Sequence, residues 1–534
     1  MAEFNLMWAT IITLLSAFIP GFLLAYPLLR KTTLRIFEIS AFGLVIGFFL
    51  PPTMLFFESL LGINFSFGLV LANLAALSAI GAFLTIRGGL PKGNFSLSVN
   101  LDEFAGKVDL FGQGKKNFVW IALLAVLIFA YWVRITGVMA NPYSQSPDPY
   151  SYLVTTRYII IDGSVPINDD LAWFPNVATH RERPLMQYLL ASWYSLYTAG
   201  EGGFDRILLL QLAGIYPALF GAIGCLLIFI LLSRFIGDWF GLFGAIQGTL
   251  LPITVVMVAW GAEQTPWAIF AMLAFFASYA LQIKEGKWEY AVLSAVAIVG
   301  VALGSKADLF VYSVFAVYVV FQGTMLFLAG KLSRGFVAQT IAVGGAAVVS
   351  FLTYYYFYKN EGLTPVLGLI LLLLYVTALS ALSGFVTPKL NKQNVLTALI
   401  GLVAIISLAY AFLAGATVSD YVNSLFSSSS LFSTIAEHQD MTGGEYVTAL
   451  GILGSGFGGF KILDVIIVLF FLLVTFDFAY RGEKSALFLA IIVLPLYLFF
   501  SDNLKFVSYF GTMTALALTF CLGAIYGLSG ELTR

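Results

Sequence analysis

The sequence predicts an all-α protein: a polytopic bundle of about 13–15 transmembrane helices, with a long outer loop that carries interfacial helices. Three observations predict it. Of the 534 residues, 60% are hydrophobic and only 10% charged, and the mean hydropathy is +0.93, values foreign to soluble domains. Apolar runs of about 20 residues, long enough to cross a bilayer, recur from end to end. Backbone groups in hydrocarbon must be bonded within their own segment, so these runs are helices and not open strands.

In order, the runs occupy 7–30, 36–58, 63–86, 118–139, 206–233, 237–259, 265–283, 288–305, 309–330, 336–358, 364–387, 395–415, 461–480, 485–501 and 505–528. The first is too long for a secretory leader and lacks a small-residue cleavage site, so it is read as a span. Residues 1–86 form an N-terminal module of three spans. A polar linker, 87–117, joins it to the remaining module, 118–534. Two outer loops interrupt that module, 140–205 and 416–446. PLMQYLLASWYSLY (Pro184–Tyr197), inside the first, mixes apolar and aromatic residues as a helix at the interface does. GILGSGFGGF (Gly451–Phe460) is too glycine-rich for a span and reads as irregular backbone lining a cavity.

Lysine and arginine fix the expected orientation. Alternate loops carry RKTTLR (Arg30–Arg35), the 87–117 linker, Arg234, KEGK (Lys284–Lys287), KLSR (Lys331–Arg334), PKLNK (Pro388–Lys392) and RGEK (Arg481–Lys484), most of the 27 basic residues. These loops are placed in the cytoplasm. Asp148, Glu263, Lys306, Asp308, Glu437 and Lys505 then fall on the outer side, although no carboxylate entered the test. No basic stripe marks a nucleic-acid surface. Cys225 and Cys521 lie inside apolar runs and read as core residues.

Polar chemistry is sparse and localised. In SPDPYSYLVTTRYI, Pro147 and Pro149 hold the backbone around Asp148. That carboxylate suits a divalent cation or a proton, and it also suits a helix N-cap. Tyr150 and Arg157 follow on the same helix start. NDDLAWFPNVATHRERP contains His180, Arg181 and Arg183. It reads as a solvated loop with local ion pairs, or as a site where a guanidinium grips an anion. WGAEQTPW puts Glu263 between two spans, where a carboxylate is costly unless partnered. It is either a capping acid or a second acid facing Asp148. GSKADLF carries Lys306 and Asp308, a local ion pair on the residues alone. STIAEHQD holds Glu437 and His438. SDNLKFVSYF ends the outer face with Lys505, a snorkelling lysine or a cation for a lipid phosphate. The sequence has no GxxxxGK[ST], HExxH or CxxC and no serine elbow.

As an ordered set, these stretches resemble the catalytic subunit of oligosaccharyltransferase, a GT-C class membrane glycosyltransferase, over roughly residues 118–528. Asp148 in DPYSYLVTTRYI matches the family's first outer-loop acid. NDDLAWFP resembles another part of that loop. Glu263 stands at the second acidic motif, and Thr434-Ile435-Ala436-Glu437 matches the TIXE motif. The resemblance implies a GT-C-like bundle with Asp148, Glu263 and Glu437 at the reacting centre. It implies a divalent metal, Mg²⁺ or Mn²⁺, on Asp148 and Glu263. The donor phosphate falls to Lys505, with Arg181, Arg183 and Lys306 also assigned to it. Tyr150, Arg157, His180 and His438 complete the pocket.

The implied substrate is a sugar or oligosaccharide on a polyprenyl phosphate. The acceptor, a protein, a lipid or a glycan, is left open. Two departures stand against the pattern. The second motif usually supplies two carboxylates one residue apart; here they would be Glu263 and Thr265, so metal binding is expected to be weaker or differently built. The WWDYG motif of the family's soluble C-terminal domain is absent, and the chain stops at Arg534 soon after its last span, so sequon recognition is not expected. The three N-terminal spans are additional to the pattern. A flippase or transporter of lipid-linked cargo and a non-catalytic GT-C-like partner subunit are the competing readings.

Overall fold

A computed structural model describes residues 4–87, 114–140, 148–166, 168–173, 176–179, 183–250, 263–305, 307–358 and 364–385. The expected spans from 395 onward and the loop 416–446 lie outside them. So do His180, Arg181, Lys306, Glu437, His438 and Lys505.

Among the described residues the chain is helical, with one small ribbon. The elements are α1 (Leu6–Leu29), α2 (Ile36–Leu60), α3 (Phe67–Arg87), α4 (Gly114–Ala140), α5 (Asp148–Asp162), β1 (Asn168–Trp173), β2 (Asn176–Thr179) and α6 (Leu185–Tyr197). They continue with α7 (Arg206–Ala213), α8 (Ile215–Ile236), α9 (Asp238–Leu250), α10 (Gln264–Glu285), α11 (Trp288–Gly304), α12 (Asp308–Leu328), α13 (Arg334–Tyr358) and α14 (Thr364–Phe385). Nine stretches among the described residues are long and apolar enough to cross a membrane, as an integral multi-pass membrane protein requires. Local chemistry sets their ends. Asn5 accepts the Trp8 amide at 3.0 Å and caps α1. Glu38 reaches back to the Arg35 amide at 2.6 Å and closes a capping box on α2. Asp205 caps α7, and Gly286, at φ +67, turns the chain out of α10.

Two features depart from the expectation. The stretch NDDLAWFPNVAT is an antiparallel β1–β2 ribbon with Asn168 opposite Thr179, so the all-α description holds for the bundle but not for this loop. Pro175 is incompatible with a helix interior, while Trp173, Val177 and Thr179 suit strands. Helix α6 is not laid half-exposed on an interface either. Every residue from Leu185 to Ser195 is buried, because α1, α2, α3, α5, α7 and α11 all pack around it.

Helix α2 is the pivot of the packing. Its rings reach across the bundle: Phe48 lies 5.0 Å from Phe220 and 6.0 Å from Phe270, both edge-on, and Phe49 lies 5.5 Å from Trp267. Such pairs add to the burial of their area. The N-terminal spans are thus not a separate appendage, since α2 is as much part of the core as α8 or α10. Close approach of α1 and α2 depends on small residues, as between helices in lipid. A methyl group at Gly47 would overlap the Ala17 carbonyl, and one at Gly21 the Gly43 carbonyl.

The helix ends sort as the alternating loops require. At one end meet the basic loops: Arg35 pairs with Asp238 at 3.0 Å, Arg234 with Glu38, and Lys287 with Glu285 at 2.9 Å. There Lys284 also donates to the Arg234 carbonyl at 2.7 Å. At the opposite end Asn5 bonds to Tyr197, Ser59 to Tyr188, Gly163 to Phe65 and Arg183 to Asp308, and Glu263 stands there at the head of α10.

Candidate functional site

Helix α5 begins at Asp148, with Pro149 in its first turn, where a missing amide costs nothing. Its buried side runs through Tyr152, Leu153, Thr155, Thr156 and Ile159. The hydroxyls of Thr155 and Thr156 donate to the Ser151 and Tyr152 carbonyls at 3.2 and 2.9 Å. Tyr150 is half-buried. Arg157 is exposed, its guanidinium 5.9 Å from the Tyr158 ring. At 3.6 residues per turn it lies about half a turn around the helix from position 148.

Glu263 occupies the N-cap position of α10, with extended backbone (φ −77, ψ 152), but its side chain makes no capping bond. It is 8% exposed. A capping role therefore does not account for it. Tyr216, in the first turn of α8, is wholly buried and lies within electrostatic reach of both Glu263 and Tyr152. Tyr152 stands one turn along α5 from Asp148. Glu263 and the first turns of α5 thus share electrostatic range with one buried tyrosine, at the end of the bundle away from the basic loops. Nothing in the sequence distinguishes Tyr216 or Tyr152 among 26 tyrosines, so residue reading alone misses both.

Below Glu263, Trp267 fixes α10 against α11. Its indole donates to the Gly300 carbonyl at 2.9 Å, and a side chain at Gly304 would overlap the indole nitrogen.

Arg183, assigned from the sequence to the donor phosphate, is wholly buried. It pairs with Asp308 at 3.2 Å, donates to the Ala302 carbonyl at 3.1 Å and lies 3.9 Å from the centre of the Tyr354 ring. Its guanidinium is turned into the protein. Arg183 thus ties the outer loop to α11, α12 and α13, and this distant arginine is a partner of Asp308 among the described residues. A second buried arginine, Arg134 on α4, donates to the Ala130 and Gly248 carbonyls, each at 3.0 Å. Buried Tyr188 on α6 has its hydroxyl pushed up to about 12 by loss of solvent, with the Ser59 bond opposing the shift.

Among the described residues no three His, Cys, Asp or Glu side chains come together to hold a metal. The buried carboxylate of Glu263 is an oxygen donor of the kind Mg²⁺ and Mn²⁺ take. A full ligand set would have to draw on Asp148 and on residues outside the described ones.

No family model matches the chain, and no curated protein does. Solved structures do. The oligosaccharyltransferase AglB of Archaeoglobus fulgidus, in complex with an inhibitory peptide and a dolichol-phosphate, aligns with a TM-score of 0.60 at 15% identity, over 79% of this chain and 52% of that one. The Archaeoglobus fulgidus enzyme tethered to an acceptor peptide containing the NVT sequon aligns with a TM-score of 0.57 at 14% identity, over 77% and 50%. The chain has the fold of an archaeal oligosaccharyltransferase. It spans about half the length of these structures. The same enzyme in complex with Zn and sulfate aligns with a TM-score of 0.54 at 14% identity, over 76% and 49%. At such identities the oligosaccharyltransferase likeness is one of fold, and it carries the GT-C-like bundle expected from the ordered motifs.

Proposed function

We propose that this protein is a membrane glycosyltransferase that moves a sugar or oligosaccharide from a polyprenyl-phosphate-linked donor to an acceptor at the extracytoplasmic face. One observation carries the reading. A buried carboxylate, Glu263, lies within electrostatic range of buried Tyr216, as does Tyr152 on the helix that begins at Asp148, remote from the basic loops, in a fold shared with a protein solved in complex with a dolichol-phosphate. The positive-inside rule puts that end outside. Helices α5, α10 and α12 all start there, and their positive ends favour an anionic headgroup.

The reaction is a displacement at the anomeric carbon. The acceptor nucleophile forms the new bond, the bond to the lipid phosphate oxygen breaks, and the polyprenyl phosphate leaves with its electron pair. By the resemblance of its TIXE context Glu437 is assigned to the acceptor, and Lys505 is assigned to the departing phosphate. Asp148 and Glu263 would hold a divalent ion, Mg²⁺ or Mn²⁺, whose charge screens the leaving group when bound. The proton of the acceptor passes to a carboxylate.

The test is transfer from native lipid-linked sugars by the purified chain in lipid. Asp148→Ala and Glu263→Ala should each lower transfer by a factor of about 100 or more, the scale of losing one charge-stabilising group. Full activity in Asp148→Ala would refute the site. A second reading, a non-catalytic partner subunit of the same fold, is favoured by one residue: Thr265 stands where the pattern has a second carboxylate. It predicts no transfer by the wild-type chain under any metal.

A further inference from the structure

We propose that the N-terminal spans position the reacting centre: the residue before α1, the outer end of α2, its loop into α3 and the start of α3 together grip the far end of α5 and both ends of α6, and so set where position 148 stands. The proposal rests on the reading of Asp148 as part of that centre. Three separate contacts make the grip. The Phe65 amide donates to the Gly163 carbonyl at 2.7 Å, directly after the end of α5. Gly163 has φ +82, and the Asn64 side chain lies so close that a Cβ on residue 163 would sit 2.8 Å from the Asn64 Cβ. On α6, the Tyr188 hydroxyl donates to Ser59 at 2.7 Å, with the Phe56 ring 6.1 Å away. At the other end of α6, the Asn5 amide donates to the Tyr197 hydroxyl at 2.9 Å, and Phe67 fills the space beside Gly200.

The leverage follows from helix geometry. Helix α5 has 15 residues and is a rod about 22 Å long at 1.5 Å per residue. Tilting it by about 5° about the gripped end moves position 148 by about 2 Å, and a misplacement of about 1 Å costs on the order of 100-fold in rate. The grip reaches α5 at Gly163, beyond the end of the helix opposite to position 148. Asn64, Phe65 and Ser59 are therefore positioning residues that act through α5 and α6.

The experiment uses the full chain in lipid nanodiscs, with amide hydrogen exchange across 148–156 and steady-state transfer measured on the same samples. Gly163→Asn isolates the clash with Asn64, because asparagine tolerates positive φ. It should raise exchange across 148–156 by about tenfold and lower kcat by about tenfold or more, with the donor KM within about twofold. The double variant Gly163→Asn/Asn64→Gly should return both toward wild type. Ser59→Ala, which introduces no clash, should move both readouts in the same direction, and it serves if Gly163→Asn fails to fold. Unchanged exchange across 148–156 in a variant whose exchange rises at 163–165 would overturn the proposal. So would a loss in kcat that Asn64→Gly does not recover. If the wild type transfers no sugar, the proposed activity fails, while the exchange measurement still decides whether the N-terminal spans hold α5.

Discussion

Arg183 and Asp308, 125 residues apart in the chain, form a 3.2 Å ion pair with side chains 1% and 0% exposed. Burying two charges is costly, and removing one partner leaves the other uncompensated. Arg183→Met or Asp308→Leu alone should cost about 3–5 kcal/mol. The joint replacement Arg183→Met/Asp308→Leu should cost less than either alone. Thermal unfolding of the four proteins in one detergent measures the cycle. Additive losses would show that the two residues do not act as a unit.

The α1–α2 contact makes a sharper demand on volume. Gly47 faces the Ala17 backbone with no room for a methyl, whereas a Cβ at Gly68 on α3 meets nothing within 4 Å. Gly47→Leu should therefore destabilise the protein by about 1–3 kcal/mol through overpacking, and Gly68→Leu should be neutral. Equal melting temperatures for the two variants would mean that α1 and α2 do not approach as closely as described.

The nine spans among the described residues were legible because each is an apolar run, several with a readable end, such as Asn5 before α1, Glu38 in the first turn of α2 or Gly286 after α10. The sorting of basic loops to one end was legible for the same reason, since charge is scarce enough to count. What could not be read is which helices are central. Helix α2 is apolar on every side, so no stripe announces that Phe48 and Phe49 point into the core and not into lipid. The burial of α6 and the partner of Arg183 depend on segments far away in sequence. Glu263 was legible as an acid in the wrong solvent, but Tyr216, its neighbour, carries no sequence signal.

Orientation is open to direct measurement. Glu201 follows α6 at the end bearing Glu263, and Lys331 follows α12 at the basic end; both are exposed. A membrane-impermeant maleimide added to intact cells should label Glu201→Cys and leave Lys331→Cys unreacted until the membrane is opened. The reverse pattern would put the candidate site in the cytoplasm and remove the basis for an extracytoplasmic reaction.

The last prediction concerns metal affinity. Thr265 sits two residues after Glu263, half-buried in the first turn of α10. A carboxylate there adds a negative ligand at a helix N-terminus, where charge of that sign is favoured. Thr265→Asp should lower the Mn²⁺ concentration needed for half-maximal transfer by about tenfold, the scale on which ligand surroundings alter metal affinity. Bound Mn²⁺ read by electron paramagnetic resonance should tighten in parallel, independent of turnover. Glu263→Gln, close in volume but uncharged, should weaken both. Chelation should abolish wild-type transfer, and Mg²⁺ or Mn²⁺ should restore it. If neither Thr265→Asp nor Glu263→Gln changes Mn²⁺ binding, the acid at the head of α10 is not a metal ligand, and the charge on the leaving phosphate must be met by cationic side chains instead.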